Sequence, residues 1–300
     1  MATMLQLVQQ AAGEMGIAVP TYVVGNTTQD TTQLLALLNA VGYELQREHI
    51  WQALNKQNIF TVTGATITGD TTIGSSSLTN ASSIVGIDST YQISGDGLNQ
   101  ATYVASAPGG STIPLSQPAT STNVGSTYTL SKVKYAMPSD YDRQIDRTHW
   151  DKSKHWEMLG PESAQQWEWL ISGYISTGPR IRYRIFGGYF QIWPQVGEGE
   201  VLGFEYISNG WVTDNTGTVK TSFTADTDTC IFPDRLMVLG LKLKYFDAKG
   251  FDTTAFMRDY TGQKDIAKAN DAGSATLSFA PRISTILIGW EQIPDSGYGS

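Results

Sequence analysis

The segment DTTQLLALLNAVGYELQREHI, residues 30–50, carries apolar residues at the spacing of an α-helix. Four of them fall on one helical face: Leu34, Leu38, Val41 and Leu45. Asp30 is followed three residues later by Gln33, which is the arrangement of a capping box. The segment therefore predicts a helix that begins near Asp30 and buries one leucine-rich face.

Residues 2–15 repeat this pattern, and Leu5, Val8, Ala12 and Met15 share one face. Residues 16–29 separate the two patterns and contain Pro20, Gly25 and Asn26, which favour a loop. The N-terminal region is therefore predicted to form a hairpin of two helices.

Helical patterns return after residue 230. The first starts at Pro233-Asp234 and places on one stripe Leu236, Leu239, Leu243 and Phe246. The second follows Asp252 and carries Phe256, Tyr260, Gln263 and Ala267. Helix pairs at both ends of the chain predict one bundle to which both ends contribute.

The stretch 57–131 has a different composition. It has no Lys, Arg, Glu or His, and its charged residues are Asp70, Asp88 and Asp96. Short alternating runs such as residues 59–62 and 128–130 are separated by turn clusters, which favours β structure. A flexible Ser/Thr linker is the alternative, but a solvated linker does not need apolar side chains such as Ile84, Ile93 and Val104. We expect a small β-sandwich or barrel.

Residues 133–230 hold most of the aromatic side chains. Pro161 is predicted to open a short helix, because proline is tolerated in the first helical turn. Residues 180–186 and 189–193 flank Gly187-Gly188 and predict a β-hairpin, and residues 201–207 are expected to continue its sheet. The region is predicted to be an antiparallel β domain.

The predicted fold class is therefore α+β: a helical bundle formed by N- and C-terminal helix pairs, an antiparallel β domain and an inserted small β-sandwich or barrel-like module. The predicted units are a helical hairpin (1–56), a Thr/Ser/Gly-rich β module (57–132), an aromatic-rich β domain (133–230), C-terminal helices (231–282) and a segment with an apolar, β-prone strand (283–300).

Charge and composition exclude several classes of protein. The 300 residues carry Lys+Arg 20 against Asp+Glu 28, a net charge of -8, which disfavours binding to DNA through a basic surface. A single cysteine, Cys230, excludes an internal disulfide and a multi-thiolate zinc site. The first basic residue is Arg47 and no apolar run is long enough to span a bilayer, so we expect a soluble chain without a secretory signal or a membrane partner.

Motifs for catalysis or cofactor binding are weak. His149 and His155 are too far apart in sequence to form a zinc-binding pair on one helix. Nearby carboxylates could add metal ligands, but they lack regular ligand spacing, so a solvated loop is the favoured interpretation of this segment. These carboxylates are Asp140, Asp142, Asp146 and Asp151. Asp226-Thr-Asp228 starts like a calcium loop but lacks the later glycine and glutamate, which favours turn and helix-capping chemistry. Cys230 is expected to be a buried apolar residue rather than a nucleophile. No catalytic residue, metal site or cofactor is predicted.

Two features leave alternatives open. Arg180, Arg182 and Arg184 alternate along the chain, so their side chains are predicted to lie on the same face of a strand. That face could point towards solvent, towards a neighbouring subunit or towards DNA in a lumen. A glycosidase needs only two carboxylates from distant strands, so aromatic and acidic residues of the β modules also allow a glycan-processing protein.

An ordered set of segments resembles the head-to-tail adaptors of short-tailed phages, the group called tail tubular protein A or tail accessory factor. The segments are PSDYDR (138–143), GPESAQQW (160–167), RIFGGY (184–189), IWP (192–194), FEYISNGW (204–211), DTD (226–228) and FPDRLMVLGL (232–241). The leucine-rich helix pair before Trp51 is similar to the opening of that family. TGDTTIG (68–74) and ISGDG (93–97) resemble a β module of phage structural proteins.

The resemblance implies a non-enzymatic virion protein at the head-to-tail interface, assembled in the host cytoplasm. It implies a ring of about a dozen copies beneath the portal protein. This ring would conduct genomic DNA through its lumen without sequence-specific binding, and it would anchor tail nozzle or fibre proteins. Because the C-terminal segment of such adaptors reaches the portal, Trp290, Ile293 and Tyr298 become candidate docking residues. The rival hypothesis is a tail protein that recognises or processes glycans through its β modules.

Overall fold

The computed structural model describes residues 1–172 and 180–272, and shows a mixed α+β fold. Its helices are α1 (Met4–Met15), α2 (Gln29–Glu48), α3 (Ala164–Ile171), α4 (Asp234–Ala248) and α5 (Thr254–Ala272), with a 3-10 turn at Gln52–Leu54. Its strands are β1 (Asn55–Thr61), β2 (Gly64–Thr71), β3 (Ser77–Thr79), β4 (Tyr91–Gly95), β5 (Ile113–Pro114), β6 (Asn123–Lys132), β7 (Lys134–Ala136), β8 (Tyr141–Gln144), β9 (Trp150–Asp151), β10 (Trp156–Glu157), β11 (Arg182–Phe186), β12 (Tyr189–Trp193), β13 (Val201–Ser208), β14 (Val212–Thr213), β15 (Val219–Lys220) and β16 (Thr229–Cys230).

The N- and C-terminal helices form one bundle, as the sequence predicts. Helix α4 packs against α1, α2 and α5, and it is therefore apolar on more than the single predicted stripe. Its fully buried residues include Leu236, Met237, Val238 and Leu241. A helix surrounded by other helices must be apolar on most sides, whereas an outer helix needs only one stripe.

Helix α2 starts within one residue of the predicted position, but its capping differs from the prediction. Helix α2 begins at Gln29 after Thr28, so Asp30 lies in its first turn and does not cap it. The predicted capping box of Asp30 and Gln33 is therefore wrong. A complete capping box is present at α1, where Thr3 accepts from the Gln6 backbone N–H and the Gln6 side chain accepts from the Thr3 N–H.

The start of the chain is joined to the segment that precedes α4. The Met4 and Leu5 backbone N–H groups donate to the carbonyls of Asp228 and Asp226, at 2.7 and 3.1 Å. The Ala2 N–H donates to the Asp234 carboxylate at 3.0 Å. These contacts place α1 directly against the first turn of α4.

The inserted module is a small closed barrel. Its sheet has the order β4-β6-β2-β3-β5, and all its strand pairs are antiparallel. Residues 102–105 close the circle, because they pair with β4 on one side and, on the other, with residues 114–116, which begin at the last residue of β5. Tyr128, Leu130 and Ile93 fill the interior with other apolar side chains. A closed barrel leaves no exposed sheet edge, which suits a segment with so few charges.

Two sheets enclose the core of the aromatic β domain. One has the order β1-β13-β9-β10, with β8 also paired to β13, and the other has the order β11-β12-β7. Phe190 from one sheet and Phe204 from the other stack with ring centres 4.9 Å apart. From the sequence, residues 201–207 are expected in the hairpin sheet and residues 59–61 in the insert. Both expectations are wrong, because β1 and β13 pair with each other in the opposite sheet.

Helix α3 starts later than predicted. Its N-cap is Ser163, which forms a capping box with Gln166, and Pro161 lies outside the helix. Ser163 supplies a side-chain acceptor for the first turn, which proline cannot do. A short sheet with the order β15-β14-β16 connects the β domain to α4.

None of the helices in the described ranges is long and apolar enough to cross a lipid bilayer.

Candidate functional site: the arginine face

The predicted arginines lie on or beside β11. Tyr183 and Ile185 of this strand point into the core of the β domain, so Arg182 and Arg184 occupy its other face. Antiparallel pairing places Trp193 opposite Arg182, and Gln191 opposite Arg184. We call this surface the arginine face, formed by Lys134, Arg182, Arg184, Phe186, Tyr189, Gln191 and Trp193.

Arg182 is held by an ion pair within the chain. Its Nη1 lies 2.6 Å from Oε1 of Glu162, whose side chain is 7% exposed. The Glu162 backbone N–H donates to the Tyr183 carbonyl at 2.9 Å, which fixes the glutamate beside β11. A charge-assisted hydrogen bond of this kind holds the guanidinium in one place.

Arg184 is held by aromatic rings. Its guanidinium carbon lies 4.6 Å from the Trp167 ring centre and 4.7 Å from that of Phe186. Its Nε donates to Oε1 of Gln191 at 2.9 Å. Burial, and secondly the charge of Arg184, lowers the pKa of neighbouring Lys134. Favourable cation–π contacts compensate for placing two cations close together.

Helix α3 covers part of the arginine face. Trp167 and Leu170 pack with Trp193, and Ala101 of the barrel completes this small cluster. The hairpin end remains open, since Phe186 and Tyr189 are 61% and 39% exposed beside Gly187-Gly188. The sequence indicated a helix near residue 161 but carried no signal that it would pack over the arginines, because that contact joins distant segments.

The three predicted arginines therefore have different surroundings. Arg182 and Arg184 have partners within the chain, whereas Arg180 precedes β11 and is exposed. Their assignment to a subunit contact or a lumen stays a prediction. Trp290, Ile293 and Tyr298, the candidate docking residues, lie outside the described residues.

His149 lies in the core, not in the solvated loop that the sequence favoured. Residues around it form β8, β9 and β10, and the imidazole stacks on Tyr183 with a centroid distance of 4.1 Å. Its Nδ1 lies 3.0 Å from the Tyr183 hydroxyl. Burial lowers the pKa of His149 to about 4, so the ring is neutral at physiological pH.

Asp140, one of the nearby carboxylates, binds side chains of two strands, β1 and β13. It accepts from Lys56 Nζ at 2.6 Å, from Ser208 Oγ at 2.7 Å and from the Tyr206 hydroxyl at 2.8 Å. Burial opposes ionisation of Asp140, but these hydrogen bonds outweigh it and lower its pKa. In the chain up to residue 172 and from 180 to 272, no three His, Cys, Asp or Glu side chains converge to hold a metal ion.

The Asp226-Thr-Asp228 segment forms turns, as predicted, but it does not cap α4, whose N-cap is Pro233. The buried Asp228 carboxylate accepts from the backbone N–H groups of Thr224 and Ala225 and from Lys220. Cys230 is buried as predicted, and burial raises the pKa of its thiol to about 12. A thiol with that pKa is protonated at neutral pH and is a poor nucleophile.

Comparisons of the chain with models of protein families and with curated proteins find no match.

Proposed function

We propose that the protein is a non-enzymatic head-to-tail adaptor of a phage virion. In this proposal, about a dozen copies form a closed ring beneath the portal protein. Identical contacts between neighbours close into a ring when the rotation per subunit divides a full turn, and docking on the portal ring would set that rotation. The ring conducts genomic DNA through its lumen and anchors nozzle or fibre proteins on its β units.

The bundle built from both ends of the chain carries this proposal. It unites α1 and α2 with α4 and α5 around one apolar core, while the barrel and the aromatic β domain are inserted between α2 and α4. This arrangement suits a protein that meets one partner through the bundle and others through its β units. The ordered segments that resemble phage adaptors lie in the β domain and at the start of α4.

The end of α5 supports a docking role for the residues that follow it. Asp271 accepts from the Gln52 backbone N–H at 3.0 Å and lies 3.2 Å from Nε2 of His49. The chain thus continues into residues 273–300 from a position anchored beside the end of α2. We propose that Trp290, Ile293 and Tyr298 in this segment contact the portal.

The electrostatics fit passage of DNA better than retention of DNA. The net charge of -8 repels phosphates on average, so the lumen wall would bind DNA weakly. Arg182 and Arg184 already contact Glu162 and Trp167 within the chain. Arg180 is therefore the arginine of this group that can most easily reach a neighbouring subunit or the lumen.

Quantitative mass spectrometry of purified particles tests the proposal. The chain is counted against the major capsid protein, and we expect about a dozen copies per particle. Absence from particles, or a copy number close to that of a capsid decoration protein, would contradict an adaptor ring.

A deletion tests the docking segment in the same particles. The chain without residues 282–300 should keep its helical circular dichroism signal and lose binding to the portal ring. Undiminished portal binding by this folded variant would show that the docking residues are assigned wrongly.

A further inference from the structure

Strand β1 forms an open edge of the larger sheet of the aromatic β domain. Its seven residues, Asn55–Thr61, pair with β13, and no other strand of the described residues pairs with it. The barrel, in contrast, hides its sheet edges by closing on itself. An edge strand of this length presents backbone groups to which a further strand can bond.

Alternate residues of β1 direct their backbone groups away from β13, as the bonding pattern of an antiparallel pair requires. On β13, the carbonyls of Val201 and Glu205 accept from the residues that follow β9 and β8, on the side away from β1. The β1 residues opposite them, Thr61 and Gln57, and Ile59 between these two, therefore direct their N–H and C=O groups outwards. Among the described residues, no hydrogen bond reaches the backbone groups of these three residues.

The sequence of β1 does not block a further strand. It contains no proline or glycine, and its register with β13 has no bulge. Its one charged residue, Lys56, lies on the same face as Phe60 and bonds to Asp140 at 2.6 Å. Edge strands that stay unpaired usually carry a free charge, a proline or a bulge. The β1 edge has none of these and is therefore suited to accept a strand.

The core beside this edge is incompletely covered. Asn58 and Phe60 lie on the core face of β1, yet both are only partly buried. Phe60 packs on Tyr135 with ring centres 4.3 Å apart and still remains partly accessible to solvent. A strand beside β1 would place its inward-facing side chains next to Phe60 and extend the apolar core.

We propose that residues 283–288 of the same chain, which follow the described residues, bond to the β1 edge as an additional strand. Their sequence, ISTILI, has no charge and is rich in β-branched residues, and a glycine follows it directly. Side chains alternate between the two faces of a strand, and either alternate set of this segment includes two apolar residues. Each orientation of the segment would therefore supply apolar contacts to Phe60.

The end of α5 lies close enough to β1 for this pairing. Asp271 accepts from the Gln52 backbone N–H at 3.0 Å, and Gln52 precedes β1 by three residues. The ten residues 273–282 can span up to about 35 Å, whereas β1 is about 23 Å long. The segment can thus reach either end of β1. So short a tether gives it a millimolar effective concentration, which favours it over the same segment of a second copy.

The added strand would fix the point from which the last residues of the chain start. Trp290 follows the segment after one residue, so pairing would hold this proposed docking residue at one end of β1. Pairing within one chain does not require an adaptor ring.

Hydrogen exchange of single amides tests the pairing. It is measured by NMR on the full chain and on the chain without residues 282–300. At least two of the amides of Gln57, Ile59 and Thr61 should exchange about 100-fold more slowly in the full chain, because the added strand accepts from them.

The amides of Asn58 and Phe60 are internal controls in the same spectra. They face β13 and should exchange slowly in both chains, which shows that the sheet is intact without residues 282–300.

Thr285→Pro combined with Ile286→Pro tests the segment in a chain of full length. Neighbouring residues of a strand direct their N–H groups to opposite sides, so one of the two prolines removes a donor to β1 in either orientation. The outward amides of β1 should then exchange as fast as in the shortened chain. Ser296→Pro combined with Gly297→Pro is the matched control, because it adds two prolines outside the segment and should leave exchange slow.

Fast exchange of the outward amides in the full chain, or equal exchange in the full and shortened chains, would overturn the proposal. Slow exchange that appears only as the protein concentration rises, together with a larger sedimentation coefficient, would assign the edge to a second copy and would also overturn pairing within one chain. These measurements need no virus particles, so this proposal and the adaptor ring can each fail alone.

Discussion

His149 illustrates how the surroundings of one residue change its chemistry. Four aspartates near it in sequence indicate a polar loop, yet the imidazole lies between Tyr183 and Phe204 in the core. Those two rings come from strands more than thirty residues away, so no local pattern announces the burial. The neutral ring must gain a proton when the chain unfolds in acid.

This gives a pH dependence with a defined sign. Between pH 6.5 and about 4 the unfolded chain protonates His149 and the folded chain does not, so the free energy of unfolding falls as the pH falls through this window. We expect His149 to account for a loss of about 2 to 3 kcal/mol between pH 7.5 and 4.5. Urea unfolding of His149→Phe should lack that part of the loss.

His155→Gln is the control, since His155 is exposed and its replacement should leave the wild-type pH profile unchanged. If His149→Phe lost as much stability in acid as the wild type, burial of the imidazole would not cause the dependence.

At the scale of elements, local sequence patterns predict individual helices and the hairpin. They do not predict which distant elements pack or pair with each other. The Gly187-Gly188 hairpin is confirmed because both glycines adopt positive φ angles, 59° and 79°, as a tight turn requires. No local pattern predicts the partner of β13, because β1 lies about 140 residues earlier in the chain. The contact between Trp167 of α3 and Arg184 is not predicted from the sequence for the same reason.

The contact between α2 and Trp211 gives an element-scale prediction. A Cβ at Gly42 would lie 2.1 Å from the Trp211 ring, which is fully buried. Gly42→Ala should therefore lower the free energy of unfolding by about 1 to 3 kcal/mol, despite the higher helix propensity of alanine. Chemical denaturation measures the change.

Gly13→Ala is the matched control in α1, because no atom lies within 4 Å of the added Cβ. It should raise the free energy of unfolding by about 0.5 to 1 kcal/mol, the usual difference in helix propensity. A Gly42→Ala variant as stable as Gly13→Ala would show that α2 does not pack tightly on Trp211.

At the scale of the whole molecule, the combination of a bundle from both ends with inserted β units was predictable from composition and periodicity. Each helix of the bundle has its own apolar pattern, and the insert has its own composition. The sequence does not distinguish a closed barrel from a sandwich, because closure depends on residues 102–105, which lie outside the named strands.

The closed barrel predicts that this unit is removable. Gly64 and Ser131 face each other where β2 and β6 pair, so an Asn-Gly turn can replace residues 65–130. We expect the shortened chain to keep its helical circular dichroism signal and cooperative unfolding. Its melting temperature should fall by several degrees, because Ala101 and Tyr103 no longer pack against Trp167 and Trp193. Aggregation or loss of the helical signal would show that the bundle needs the barrel.

The hydrogen bonds that join Met4 and Leu5 to Asp228 and Asp226 have a consequence for biosynthesis. A ribosome adds about 5 to 20 residues per second, so α1 waits roughly 10 to 45 s before its partner segment is translated. During that delay Leu7, Val8 and the apolar face of α2 have no α4 to cover them. The barrel and the aromatic β domain have their own cores and are translated before α4. These two units can therefore fold while the apolar faces of α1 and α2 are still uncovered and need protection.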